Sequence, residues 1–84
     1  MGGYLYIMTI LIEMPQFAPT MTSGRILQWY KKIGDKVRSG DPLVQIETEK
    51  TVIDYESVES GYLVEIKEFD GQVTVGTVIC ILSE

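Results

Sequence analysis

Few residues in this chain could do chemistry, and one lysine stands apart from the others. In "QIETEKTVIDYE", residues 45 to 56, Lys50 sits between two runs that alternate like strands, with Glu47 and Glu49 before it and Asp54 and Glu56 after it. That placement sets its amine at the top of a hairpin, solvated and open to approach from all sides. On position alone, an apical lysine is more often an ordinary turn residue than a site. Other reactive groups are scarce. The 84 residues include no His and a single Cys, which removes the usual zinc ligands and the usual base for a serine or cysteine nucleophile. Cys80 lies in the apolar run "GTVICIL", where a buried structural thiol is expected. No disulfide can form within the chain, and a reducing compartment suits it.

Size and charge narrow the function classes further. A chain of 84 residues makes one domain with a modest core, so a large catalytic cleft is not expected. The net charge of −5 argues against nucleic-acid binding, which needs clustered Lys and Arg to displace counterions. "YLYIMTILI" is apolar but only nine residues long, well short of the roughly 20 that span a bilayer. It lacks the basic start and small-residue cleavage site of a signal peptide, and the Arg-rich character of a transit peptide. Residues 1–8 read as an N-terminal extension and residues 9–84 as the domain.

The elements that must position Lys50 are short. Turn-forming stretches recur at "MPQFAPTMTSG", "KIGDK", "RSGDP", "TEKT", "SVESG", "FDGQ" and "TVGT". Between them, strands are predicted near residues 9–13, 24–30, 36–38, 42–47, 51–57, 61–67, 72–74 and 77–82, with no sustained helical period. Laid over one another at an offset of 37 residues, the two halves match: Ser23-Gly24 with Ser60-Gly61, Ile26 with Leu63, Trp29 with Ile66, and Gly34 with Gly71. With one residue dropped, Val37 matches Val73, Gly40 matches Gly76, Val44 matches Cys80 and Ile46 matches Leu82. A doubled four-strand unit predicts an all-β fold of two facing sheets around one core, with approximate twofold symmetry.

Thr48 to Thr51 then form the hairpin that joins the halves, with Lys50 at about the third turn position. Val44 and Ile46 share one face, Ile53 and Tyr55 share another, and Asp54 and Glu56 turn to water. Glu47, Glu49, Asp54, Glu56 and Glu59 are expected to form an acidic collar around the tip, which serves either solubility alone or steering toward basic surfaces. Gly34-Asp35 and Gly40-Asp41 read as turn residues without calcium-loop spacing, Trp29 as core, and Lys31-Lys32 as an exposed strand end.

Three motifs occur in order: "MPxxxPTMxxG", "IxxWxKKxGDxVxxGDxL" and "IETxKxxxxxES". Together they make the chain, from about Thr9 to Leu82, resemble the lipoyl domains of the dihydrolipoyl acyltransferase (E2) subunits of 2-oxo acid dehydrogenase complexes. The resemblance implies a flattened barrel, a barrel-sandwich of two four-stranded antiparallel sheets. It implies that Lys50 carries lipoic acid in amide linkage, attached by a lipoate ligase or a lipoyl/octanoyl transferase that reads Glu47, Thr48, Glu49 and Thr51. It further implies a non-catalytic, monomeric carrier. Such a carrier would move acyl groups and reducing equivalents between a thiamine-diphosphate decarboxylase (E1), the E2 catalytic domain and dihydrolipoyl dehydrogenase (E3) of a pyruvate-type or acetoin-type complex. Phe17, Thr20 and Met21, in "QFAPTMTS", would be read by the decarboxylase, although Phe17 and Met21 could equally plug the barrel end, Met21 the better of the two. The implied compartment is the bacterial or archaeal cytoplasm or the mitochondrial matrix. The chain reads as an excised domain, with a linker, a subunit-binding domain and a catalytic domain expected beyond Glu84.

Two departures from the family pattern matter. Relatives commonly have Asp before the lysine and Ala after it, where this chain has Glu49 and Thr51. Glu bonds back to the main chain less well than Asp, which predicts a slightly looser hairpin. Biotinyl carrier domains, the alternative within the same fold, usually flank their lysine with Met on both sides. From a different class, an unmodified adaptor barrel has no use for the lysine.

Overall fold

The computed structural model describes residues 8–84. Eight strands form: β1 (Thr9–Glu13), β2 (Ser23–Trp29), β3 (Lys36–Val37), β4 (Pro42–Glu47), β5 (Val52–Glu56), β6 (Gly61–Ile66), β7 (Gln72–Thr74) and β8 (Val78–Ser83). They pair antiparallel in two four-stranded sheets, ordered β1-β8-β6-β3 and β5-β4-β2-β7. These are the two facing sheets expected from the strand pattern, in the flattened all-β barrel-sandwich that the resemblance implies. Among the described residues, no helix is long and apolar enough to cross a membrane. The extension expected at residues 1–8 lies outside the described residues except for Met8, whose carbonyl accepts the Glu84 N–H at 3.1 Å.

Some positions matched in the sequence repeat pair alike in the two sheets. Ile26 opposite Ile46 in one sheet corresponds to Leu63 opposite Leu82 in the other, and Gly24 opposite Val73 corresponds to Gly61 opposite Val37. Both glycines sit where chains approach too closely for a side chain. A Cβ on Gly24 would lie 2.9 Å from Ile46 Cγ2, and one on Gly61 would lie 2.8 Å from the Ser83 carbonyl oxygen. The paired "SG" steps thus mark two crowded points, filled by side chains at Gly24 and by the main chain of β8 at Gly61.

Inward residues of both sheets make one core, with Ile12, Leu63, Ile79, Cys80 and Leu82 facing Leu43, Val44, Ile46 and Val73. Burying each large aliphatic side chain contributes about 1.5–3 kcal/mol. Strict alternation holds in β5 but fails in β4 and β8, where Leu43-Val44 and Ile79-Cys80 are buried as neighbours. The ladders shift register at those places, between Pro42 and Val44 and between Ile12 and Glu13. A bulge adds twist and turns two successive side chains inward, which lets a pair of small sheets close on one core. Burial pushes the Cys80 thiol up to about 12, so it stays protonated and unreactive in the folded domain.

The β2–β3 and β3–β4 connections are turns stapled by aspartates. The Asp35 carboxylate accepts the Lys32 N–H at 3.0 Å, and that of Asp41 accepts the Arg38 N–H at 2.9 Å. The Arg38 bond, aided by Lys31 at 3.3 Å, holds the Asp41 carboxyl below its usual range. Gly34 and Gly40, at φ 98° and 94°, take the left-handed positions beside them. Trp29 is half-buried and packs against the core, because the β2 register shift between Ile26 and Gln28 sets it opposite buried Val44. One expectation needs correction. Lys31 and Lys32 lie past the end of β2, and Lys31 is half-buried against Asp41 rather than exposed.

Candidate functional site

Glu47 and Val52 are the last paired residues of the β4–β5 hairpin, so Thr48 to Thr51 form its tip. Tight two-residue hairpins normally use type I′ or II′ turns, which need positive φ. No non-glycine residue among those described has a positive φ, so this tip is built differently. The Thr48 N–H donates to the Thr51 carbonyl at 2.7 Å, and the Thr48 hydroxyl donates to the same oxygen at 3.0 Å. That hydroxyl also accepts the Lys50 N–H at 3.3 Å and the Thr51 N–H at 3.1 Å. One donor and two acceptor positions are all that a hydroxyl has, and Thr48 uses all three.

The main-chain anchoring of the tip therefore falls to Thr48, and the Glu49 side chain makes no hydrogen bond among the described residues. Thr48→Val should lose the three hydroxyl contacts and destabilise the hairpin by about 1 kcal/mol, whereas Thr48→Ser should keep most of that stability. Urea denaturation combined with amide exchange at Lys50 and Thr51 measures both; exchange in Thr48→Val no faster than in Thr48→Ser would show that the hydroxyl does not hold the tip.

Opposite the hairpin runs the segment joining β1 to β2. Its start is fixed by buried Met14, whose N–H donates to the Thr77 carbonyl at 2.8 Å and whose own carbonyl accepts the Gly76 N–H at 3.0 Å. Pro19 occupies the second position of a turn closed by the Met21 N–H on the Ala18 carbonyl at 3.0 Å, where its fixed φ is favoured. Gln16 cinches the segment through its side-chain N–H to the Met21 carbonyl at 3.0 Å. Met21 is half-buried against the core, as a plug of the barrel end would be. Phe17 is not a plug: it stays 37% exposed, its ring meeting Tyr55 edge-on at 5.9 Å.

Between segment and hairpin lies a cleft of about 490 Å³. Glu47, Thr48, Glu49, Lys50 and Thr51 line one side, and Phe17, Thr20 and Met21 line the other. Residues singled out from two distant stretches of sequence thus face one space. Sequence reasoning missed Ile53, Ser23 and Gln72, which also line it. Ser23 and Gln72 come from β2 and β7, and their side chains meet at 2.9 Å. The internal repeat carried no signal for this pair, since it matches Ser23 with Ser60, and it is the β2–β7 ladder that brings Gln72 beside Ser23.

The acidic collar does not form as expected. Glu47 and Glu49 flank Lys50, but Glu56 ends β5 on the side away from the tip, and Glu59 lies beyond it. At about 3.3 Å per residue, six residues of extended chain place Glu56 roughly 20 Å from Lys50. Asp54 is held on the outer face of its sheet, accepting the Tyr30 hydroxyl at 2.6 Å and the Gln45 side-chain N–H at 3.3 Å. The bond to Asp54 raises the Tyr30 hydroxyl above its usual value. Sequence proximity misled here because an extended strand carries its charges away from the turn.

Residues 10–82 match the biotin/lipoyl family model, described as "Biotin-requiring enzyme". The chain is 45% identical over 75 residues to dihydrolipoyllysine-residue acetyltransferase component 3 of the mitochondrial pyruvate dehydrogenase complex of Arabidopsis thaliana. It is 39% identical over 79 residues to the acetyltransferase component of the pyruvate dehydrogenase complex of Zymomonas mobilis, and 47% identical over 76 to the mitochondrial one of Neurospora crassa. These alignments cover 87%, 92% and 88% of this chain but only 14%, 18% and 17% of those proteins. With the family match running from the first strand to the last, and both sheets formed within it, this chain belongs to the biotin/lipoyl domain family.

Proposed function

We propose that the chain is a lipoyl carrier domain of a pyruvate-type 2-oxo acid dehydrogenase complex, with Lys50 as the residue that bears lipoic acid. The observation that carries this reading is the presentation of Lys50, exposed at a hairpin tip that the Thr48 hydroxyl organises, in a fold whose relatives are pyruvate dehydrogenase acetyltransferase components. The residues present fit the group: an amine free for amide formation, beside a cleft with apolar walls from Phe17, Met21 and Ile53. When attached, the dithiolane supplies a disulfide that accepts electrons and a thiol that carries an acyl group.

The chain's own residues do the presenting. Thr48 fixes the backbone of Lys50, so the modifying ligase or transferase meets an amine in one defined place, with Glu47, Glu49 and Thr51 beside it. Joining the arm to a domain keeps it at high effective concentration near the decarboxylase, the acyltransferase catalytic domain and the dihydrolipoyl dehydrogenase without tight binding. Phe17, Thr20 and Met21 form the face across the cleft that the decarboxylase would read.

Intact mass after co-expression with lipoate and a lipoate ligase should show one lipoyl group, mapped by peptide analysis to Lys50 and absent from Lys50→Ala. Biotin with a biotin ligase should leave the domain essentially unmodified, since Glu49 and Thr51 replace the Met flanks of biotinyl domains. Modification at Lys36 or Lys67 would overturn the assignment, and robust biotinylation would transfer it to the biotinyl branch.

A further inference from the structure

We propose that the cleft between the hairpin and the 15–22 segment is a resting seat for the lipoyl arm, holding its chain and dithiolane against Phe17, Met21 and Ile53 when no partner protein does. The inference rests on the carrier reading of Lys50 and adds a binding site on the domain itself.

Three observations carry it. Lys50 lines the cleft, so an arm on its amine starts at the rim and need only fold back. The volume, about 490 Å³, falls within the ~300–1,000 Å³ of small-molecule clefts. Its walls suit the ligand, with Phe17, Ala18, Met21 and Ile53 supplying apolar and aromatic surface. Ring edges and thioethers make favourable contacts with sulfur and methylene groups. Phe17 is left exposed yet is fixed by its edge contact with Tyr55, so the apolar surface is already formed before anything covers it. Ala18 carries the small side chain that leaves the cleft open.

The tether makes a weak site sufficient. A short flexible link gives effective concentrations of the order of millimolar, so a seat of only about millimolar affinity is half occupied. Such a seat shields the arm from solvent between transfers and gives it up to any partner that binds it better. A second cavity, about 370 Å³, offers no comparable role: none of residues 48–51 of the hairpin tip lines it, and it has Glu13 and Glu59 in its walls.

The test compares unmodified and lipoylated domain by methyl and amide NMR, with lipoylation of Lys50 first established by mass and peptide mapping. Chemical-shift changes should extend beyond residues 48–52 to the Met21 ε-methyl and Ile53 δ1-methyl groups, with NOEs from arm protons to both. Ala18→Phe, which fills the cleft from an exposed turn position, should reduce those remote shifts to about half or less while Lys50 is still lipoylated. Changes confined to residues 48–52, with no NOE to Met21 or Ile53 in the lipoylated wild-type domain, overturn the proposal whatever Ala18→Phe does. A lipoyl group absent from Lys50 removes the carrier reading itself, and the mass measurement separates that outcome from the first.

Discussion

Exchanging Glu49 and Lys50, as Glu49→Lys with Lys50→Glu, should slow lipoylation at least about tenfold while leaving the domain folded. Composition and net charge are unchanged, and both positions are exposed, so neither steering nor burial separates the two proteins. Only the direction of the amine differs. Position 50 is the third residue of the tip, its N–H bonded to the Thr48 hydroxyl at 3.3 Å, whereas the Glu49 side chain makes no hydrogen bond among the described residues. Adjacent central positions of a turn have different φ and ψ and project their side chains along different lines. A modifying enzyme that reads the tip therefore meets the shifted amine out of place. Tenfold corresponds to about 1.4 kcal/mol of lost transition-state stabilisation. Initial rates by mass spectrometry, with a native-like NMR spectrum as the folding control, decide the matter. Equal rates for shifted and native lysine would falsify the link between hairpin geometry and modification.

The largest effect on stability is expected at Gly61. A Cβ there lies 2.8 Å from the Ser83 carbonyl oxygen and 3.2 Å from Leu82 Cβ, so β6 must part from β8 to admit it. β8 is a central strand holding Ile79, Cys80 and Leu82 in the core, and its displacement disturbs all three. Gly61→Ala should cost about 3 kcal/mol, a large share of the 5–15 kcal/mol typical of a domain.

Gly24 is the counterpart and should respond less. Its Cβ would meet Ile46 Cγ2 at 2.9 Å, Met14 Sδ at 3.1 Å and Met21 Cε at 3.1 Å, all side-chain atoms. Methionine adapts to small changes in volume, and about 1–2 kcal/mol is expected for Gly24→Ala. Urea midpoints rank the two variants directly. A smaller loss at Gly61 than at Gly24 would show that the β6–β8 ladder opens more readily than its carbonyl contact suggests.

Much of this molecule is legible from sequence, for reasons that are local. Each strand lies between residues that favour turns, and the alternation of Ile53, Asp54, Tyr55 and Glu56 within β5 needs no distant information. The repeat went further, since matched positions such as Ile26 with Leu63 and Ile46 with Leu82 also pair in matched registers. The lysine at the hairpin tip follows from the turn alone. What sequence could not supply depends on chain segments meeting in space. Leu43 and Ile79 break the alternation because bulges are set by how two sheets must curve to share a core, which no single strand specifies. Glu56 and Glu59 leave the tip because an extended strand carries near neighbours in sequence far apart. Phe17 and Ile53 face Lys50 because the segment before β2 folds back across the β4–β5 hairpin, its start held by bonds from Met14 to Thr77 and Gly76 that have no local signature. Sequence alone therefore determined the strands and the lysine they present, where short-range sterics and hydrophobic period decide; the surface around that lysine was settled by tertiary structure, since packing and long-range hydrogen bonds bring its residues together.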